Sequence, residues 1–286
     1  MSIDLTPPTT SATPPPLPPA PPTRSSAKAV AIVAMSLGGV LLLGTLVSGI
    51  GSVAWSWVSG DETGSRVADT TGVSALSFDV SAGDVVVQYA DVDEAMLEVV
   101  GGDRGWSLER RGDTLSLSNG RPWWAARFGF GGADDRATLT LPEAMADERV
   151  DARFDVSAGS ITADGTYGVL DVEVGAGDAD VSGTADELTV DVSAGEADVT
   201  IDGARTANLS IGAGEILATL TGDALDDVRV DVSAGSLVAS LPDEEYAVTS
   251  DVSAGSFDNL LQTAPDATRT VDVQVSAGGV TLRPAD

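Results

Sequence analysis

The hexapeptide Val190-Asp191-Val192-Ser193-Ala194-Gly195 decides how this chain is read, because it returns throughout the C-terminal half. Earlier copies are Phe154-Asp155-Val156-Ser157-Ala158-Gly159 and Val172-Glu173-Val174-Gly175-Ala176-Gly177. Later copies are Leu209-Ser210-Ile211-Gly212-Ala213-Gly214 and Val230-Asp231-Val232-Ser233-Ala234-Gly235. Ser250-Asp251-Val252-Ser253-Ala254-Gly255 follows, and Val273-Gln274-Val275-Ser276-Ala277-Gly278 closes the series. Successive final glycines stand 18, 18, 19, 21, 20 and 23 residues apart. A near-constant period of this size marks a repeat architecture.

Each copy alternates apolar and polar residues, which is strand periodicity; Val190 and Val192 point one way and Asp191 the other. Alanine and glycine then allow a tight corner. A second run follows, such as Ala197-Asp198-Val199-Thr200-Ile201, and Asp202-Gly203 supplies another turn. No stretch of the repeats carries a helical apolar stripe. The pattern predicts an all-β fold: a single-stranded parallel β-solenoid (β-helix), one coil per repeat, with strands about 4.8 Å apart. The seven corners imply a rod about 30–35 Å long at that spacing. The competing arrangement is an antiparallel two-sheet sandwich, which explains less well why the same three letters recur at one corner.

The charge balance is extreme, with 44 acidic residues against 15 basic ones and a net charge of −29. Nucleic acid and anionic lipid surfaces are polyanions, so neither suits this chain as its main partner. Cysteine and histidine are both absent, which removes disulfides, thiolate chemistry, the usual zinc sets and a Ser-His-Asp triad.

Residues 1–28 read as a disordered, proline-rich cytoplasmic tail, with Pro14, Pro15, Pro16, Pro18, Pro19, Pro21 and Pro22 in one short window. Such a tract favours extended polyproline II and serves as a spacer or as a docking site for a proline-reading domain. Residues 29–58 carry no charged side chain and are long enough for one transmembrane helix. Arg24 and Lys28 precede the segment, and Asp61 and Glu62 follow it. The positive-inside rule then places the N-terminus in the cytoplasm and the rest outside the cell membrane, as a single-pass protein. A cleaved signal peptide is the alternative, but the apolar run exceeds the usual h-region of about 7–15 residues.

Residues 59–72 read as a polar stalk, and residues 73–153 as a first coil and a β-hairpin cap with an aromatic loop. The first coil carries Phe78-Asp79-Val80-Ser81-Ala82-Gly83. Trp106-Ser107-Leu108-Glu109-Arg110 and Thr114-Leu115-Ser116-Leu117-Ser118 form the hairpin around Arg111-Gly112-Asp113. Ala137-Thr138-Leu139-Thr140-Leu141 is a further strand, ended by Pro142. These strands protect the open N-terminal edge of the repeats at 154–286. Trp123, Trp124, Phe128 and Phe130 cluster beside Arg121 and Arg127. The rings either fold back over the cap or form an exposed contact site for a glycan, an envelope protein or the membrane surface.

The Asp155-Val156-Ser157-Ala158-Gly159 phrase and its copies resemble a known family, as do the Arg111-Gly112-Asp113-Thr114-Leu115 hairpin and the Leu139-Thr140-Leu141-Pro142 strand end. It is the bacterial "putative adhesin" β-strand-repeat domain family, found in many membrane-anchored proteins. The match covers roughly Val73 to Leu282. The resemblance implies a β-solenoid of unproven biochemical role and supplies no catalytic residues.

Stacked coils place Asp155, Glu173 and Asp191 in one carboxylate ladder at sheet spacing. Like charges this close oppose folding unless they are hydrated, screened or bridged by a cation. These three residues are therefore candidates for weak, diffuse calcium binding; no calcium-loop motif is present, and a solvated acidic face is the plainer reading. No other cofactor is expected. A polysaccharide-acting enzyme would use paired carboxylates, but the repeats offer no long inserted loops and few aromatic platforms, so the chain reads as a non-enzyme. The function expected is structural, adhesive or protein-interacting at the cell envelope, or sensing and scaffolding for an envelope signalling system.

Overall fold

The computed structural model describes residues 64–101, 105–120, 135–223 and 225–285. The tail at 1–28, the segment at 29–58 and the loop bearing Trp123, Trp124, Phe128 and Phe130 lie outside the described residues. Among the described residues no helix is long and apolar enough to cross a membrane. They contain strands and a single 3-10 turn, Glu143–Met145.

Each repeat coil consists of two strands joined by the Ser-Ala-Gly or Gly-Ala-Gly corner. The strand before the corner lies in a front sheet and the strand after it in a back sheet. Glu187–Val192 and Glu196–Asp202 form one such coil. Glu187–Val192 pairs in parallel with the second half of Ser160–Val174 on one side and with Thr206–Ile211 on the other. Glu196–Asp202 is likewise flanked in parallel by Asp178–Thr184 and Glu215–Thr221. This parallel pairing is the solenoid arrangement, and it excludes the antiparallel sandwich.

Alternation sets the two faces. Val190 and Val192 are fully buried between the sheets, as are Val199 and Ile201 across from them, while Asp191 and Asp198 face outward. Burying a valine or isoleucine side chain contributes about 1.5–3 kcal/mol. Near the N-terminal end the interior becomes aromatic. Phe78 and Phe154 stack at 5.1 Å, and Tyr167 meets Phe154 edge-on at 6.1 Å.

The corner glycine is required by its neighbour in the stack as well as by its own turn. A Cβ on Gly214 would lie 1.9 Å from the Gly195 carbonyl oxygen, and one on Gly195 would lie 2.1 Å from that of Gly177. The ladder runs on through Gly159 to Gly83 in one direction and through Gly235 in the other. Backbone hydrogen bonds follow the same path: Glu215 N donates to Gly195 O at 3.0 Å and Ser193 N to Val174 O at 2.8 Å. Successive coils touch backbone to backbone, so a side chain at this position has no room.

Among the described residues nine parallel layers are present, and they do not stack in chain order. From one end the layers are 114–142, 75–90, 150–166, 169–184, 187–202, 206–221, 227–241, 270–284 and 245–259. Coil 75–90 is enclosed between 114–142 and 150–166, and coil 270–284 between 227–241 and 245–259. The glycine ladder shows the same order, because Gly278 abuts Gly235 and Gly255 abuts Gly278. Nine layers span about 38 Å at about 4.8 Å per step, more than seven sequential corners imply.

The N-terminal end differs from the expected cap in two ways. The hairpin is present as Ser107–Arg111 and Thr114–Ser118, but its second strand is itself the front strand of the outermost coil. Gly64–Ala68, read from the sequence as polar stalk, is a strand antiparallel to Ala95–Val100, which in turn pairs antiparallel with Arg136–Pro142. In the outermost coil Asn119 follows Ser118, the partner of Asp79, so it takes the interior position that Val80 holds in the next coil, and it is buried. Its Oδ1 accepts from Ser81 N at 2.6 Å and its Nδ2 donates to Ala82 O. One amide side chain thereby does what a further corner would do. In sequence the aromatic segment falls between the front strand Thr114–Ser118 and the back strand Arg136–Pro142 of this coil.

Candidate functional site

The outer face of the front sheet carries the residues singled out by the sequence. Asp155 stands in register with Glu173, and Glu173 with Asp191. Asp79 extends the row beyond Asp155, and Ser210 and Asp231 continue it beyond Asp191. Beyond Asp231 the next layer contributes Gln274, and only then Asp251, because of the exchanged coil order.

A second row lies two residues earlier on each strand and was not identified from the corner phrase. It holds Arg153, Asp171, Thr189, Asn208, Arg229 and Asp272. Arg153 lies in this row and reaches into the first. Its guanidinium pairs with Asp171 and donates to Glu173 Oε1 at 2.6 Å. Those two carboxylates, Glu173 first, hold its pKa above the usual arginine value. Arg229 pairs with Asp227 on its own strand at 2.6 Å. All these groups are partly solvated, so each pair is worth about 0–1 kcal/mol. Their effect is to replace an unrelieved carboxylate ladder with a mixed one.

Asp155 is left less well matched. Partial burial pushes its pKa up, and the neighbouring Asp79 and Glu173 push it further, against the opposing pull of Arg153. The back sheet repeats the theme. Asp178, Glu196 and Glu215 form a second carboxylate row in register, and Asp180 stands beside Asp198. Burial, then the Asp180 charge, raises the Asp198 pKa. The signal for this row was present in the sequence as the acidic residue directly after the successive corner glycines Gly177, Gly195 and Gly214.

The three calcium candidates therefore share one row, but in-register strands spread carboxylates along a line about 4.8 Å apart per step. Calcium takes six to eight oxygens at about 2.3–2.6 Å from one point. Among the described residues no group of three or more acidic side chains converges in that way.

Two shallow, open depressions lie on the front face. One, of about 420 Å³, is bordered by Asp155, Glu173, Asp191, Ser157 and Ser193. The other, of about 590 Å³, is bordered by Asn208, Ser210, Arg229, Asp231, Asp272 and Gln274. The second mixes donors and acceptors of both charges, with the buried Leu209 and Val230 contributing only at its floor. This arrangement suits hydrogen-bonded contact with a broad polar surface.

No family model and no curated protein matches the chain. Among solved structures it is similar to a "putative adhesin" from Bacteroides fragilis, at 16% identity over 78% of this chain and 97% of that one, with a TM-score of 0.49. A "putative adhesin" from Parabacteroides merdae is similar at 15% identity, over 78% and 95% of the two chains, with a TM-score of 0.43. A "putative lipid binding protein" from Parabacteroides distasonis is similar at 13% identity, over 77% and 96%, with a TM-score of 0.37. Two of these neighbours carry the family name that the corner phrase and hairpin resemble.

Proposed function

We propose that this protein displays an acidic β-solenoid outside the cell membrane, held by a single helix at residues 29–58, and that it acts by surface contact rather than by catalysis. The role is adhesive or protein-interacting at the cell envelope. The observation that carries this reading is the outer face of the front sheet, where two rows of polar and charged side chains stand in register across the stack. Such a face presents a flat array of donors and acceptors, and its depressions are open rather than enclosed. The natural partner is an envelope protein or a glycan, which offers hydroxyl, amide and cationic groups to it. Calcium at Asp155, Glu173 and Asp191 acts on this reading as a loose counterion and not as a chelated ligand.

The test uses cells that make the full chain. A reporter fused after Asp286 should be active only outside the cytoplasm. Adhesion of these cells to envelope-coated surfaces should exceed that of cells lacking the chain. Charge reversal of Asp231 and Asp272 to Lys should reduce it several-fold, while reversal of Asp180 on the back sheet should not. Equal adhesion by all variants, or a reporter active in the cytoplasm, would contradict the reading.

A further inference from the structure

The two ends of the stack are finished differently. At the N-terminal end antiparallel strands and the Asn119 side chain complete the edge. At the other end the last layer is coil 245–259, and completion is partial. Gln262–Thr263 pairs only with Glu245 and Tyr246, and Leu261 is buried close by. Beyond Tyr246, the strand Glu245–Val252 has no described neighbour on its outer side.

Hydrogen-bond parity identifies which groups are left. Ala247 N donates to Arg269 O and Ser253 N to Val275 O, so the odd-numbered residues face the layer within. Val248, Ser250 and Val252 therefore turn their N–H and C=O groups outward. At the corner, Val174 O, Val192 O, Val232 O and Val275 O each accept from the next layer. Val252 O and Gly255 O have no next layer among the described residues.

Side chains at this end are also those of an interior. Val252 occupies the position of Val192, Val232 and Val275, which are at most 2% exposed, yet it is 39% exposed. Leu260 is 66% exposed, and Phe257 is half-buried. The last coil is acidic: Asp243, Glu244, Glu245, Asp251 and Asp258 are exposed on it or directly before it, and Arg269 reaches Glu244 at 4.0 Å.

We propose that this end takes up an extended segment of another polypeptide as an added strand, one in which valine- or leucine-type residues alternate with lysine or arginine. The apolar residues would continue the interior over Val252 and Phe257, the backbone would meet the outward groups of Val248, Ser250 and Val252, and the basic residues would meet these carboxylates. A second copy of this chain fits less well, since it would bring the same carboxylates and the same unmet carbonyls to the contact.

The probe is the acetylated and amidated heptapeptide Lys-Val-Lys-Val-Lys-Val-Lys, titrated against the full chain at physiological salt. Two analogues carry N-methyl groups, one on every lysine and one on every valine. With valines facing the interior, a parallel added strand directs its lysine N–H groups at the edge, and an antiparallel one its valine N–H groups. One analogue should therefore bind at least about ten-fold more weakly and the other should bind like the parent, as expected when hydrogen bonds are lost on one edge only. Bound peptide should slow amide exchange at Val248, Ser250 and Val252. Equal binding of all three peptides would mean ionic attraction alone and would overturn the proposal, as would protection confined to another edge such as Gly64–Ala68. A concentration-dependent dimer that Val252→Lys abolishes would assign the end to a second copy and would also overturn it.

Discussion

At the residue scale the fold rests on what a side chain would meet. Gly214 and Gly203 are both glycines at turns, but for different reasons. A Cβ on Gly214 would collide with the Gly195 carbonyl at 1.9 Å, whereas one on Gly203 would meet nothing within 4 Å and only the cost of φ +79° remains. Gly214→Ala should destabilise the chain by about 2–3 kcal/mol, because backbone must move to admit the methyl. Gly203→Ala should cost about 1–2 kcal/mol. Thermal or denaturant unfolding that ranks them the other way would remove the steric basis of the corner. Asp155 gives a pH test. Its folded pKa is raised, so the folded state holds this proton more tightly than the unfolded chain. Stability from this group is therefore gained as pH falls through the raised value and is lost above it. Asp155→Asn should raise stability at pH 7 by up to about 1 kcal/mol. The gain should fade as pH approaches the ordinary value of 3.8. A gain that persists unchanged at acid pH would mean that charge is not its cause.

At the element scale the informative feature is how a stack of identical corners is brought to a stop. Asn119 does this at one end with both polar atoms of its amide engaged and its side chain buried. Asn119→Ala leaves Ser81 N and Ala82 O without those partners and should cost about 1–3 kcal/mol. Asn119→Asp should retain the bond from Ser81 N but lose the donor to Ala82 O, and should also destabilise. If melting temperatures of both variants match the wild type, the corner ladder does not need a cap. The sequence made the repeating elements legible, because alternation such as Val190-Asp191-Val192 fixes which side is buried. It did not reveal the strand Gly64–Ala68, whose most apolar residue, Val67, is 62% exposed and whose pattern reflects no interior face. Nor did it reveal the role of Arg153, since a cross-strand ion pair depends on register between coils and leaves no spacing signal within one coil.

At the scale of the whole molecule the layers are exchanged at both ends. The repeat phrase specifies register strongly and order weakly: the coils that carry it offer the same corner, so one can follow another without loss of glycine contact. This is why the parallel solenoid could be read from the sequence while the position of coil 270–284 could not. The exchange gives that coil neighbours on both sides and leaves coil 245–259 outermost. The absence of native cysteine allows a direct measurement of this order. In-register parallel neighbours are about 4.8 Å apart, within disulfide reach, whereas residues two layers apart are not. Asp231 is in register with Gln274, and Gln274 with Asp251. Under mild oxidation the Asp231→Cys, Gln274→Cys pair should form an intramolecular disulfide in the folded chain, and the Asp231→Cys, Asp251→Cys pair should remain reduced. Crosslinking of the second pair but not the first would show coils stacked in chain order and would contradict the structure described above.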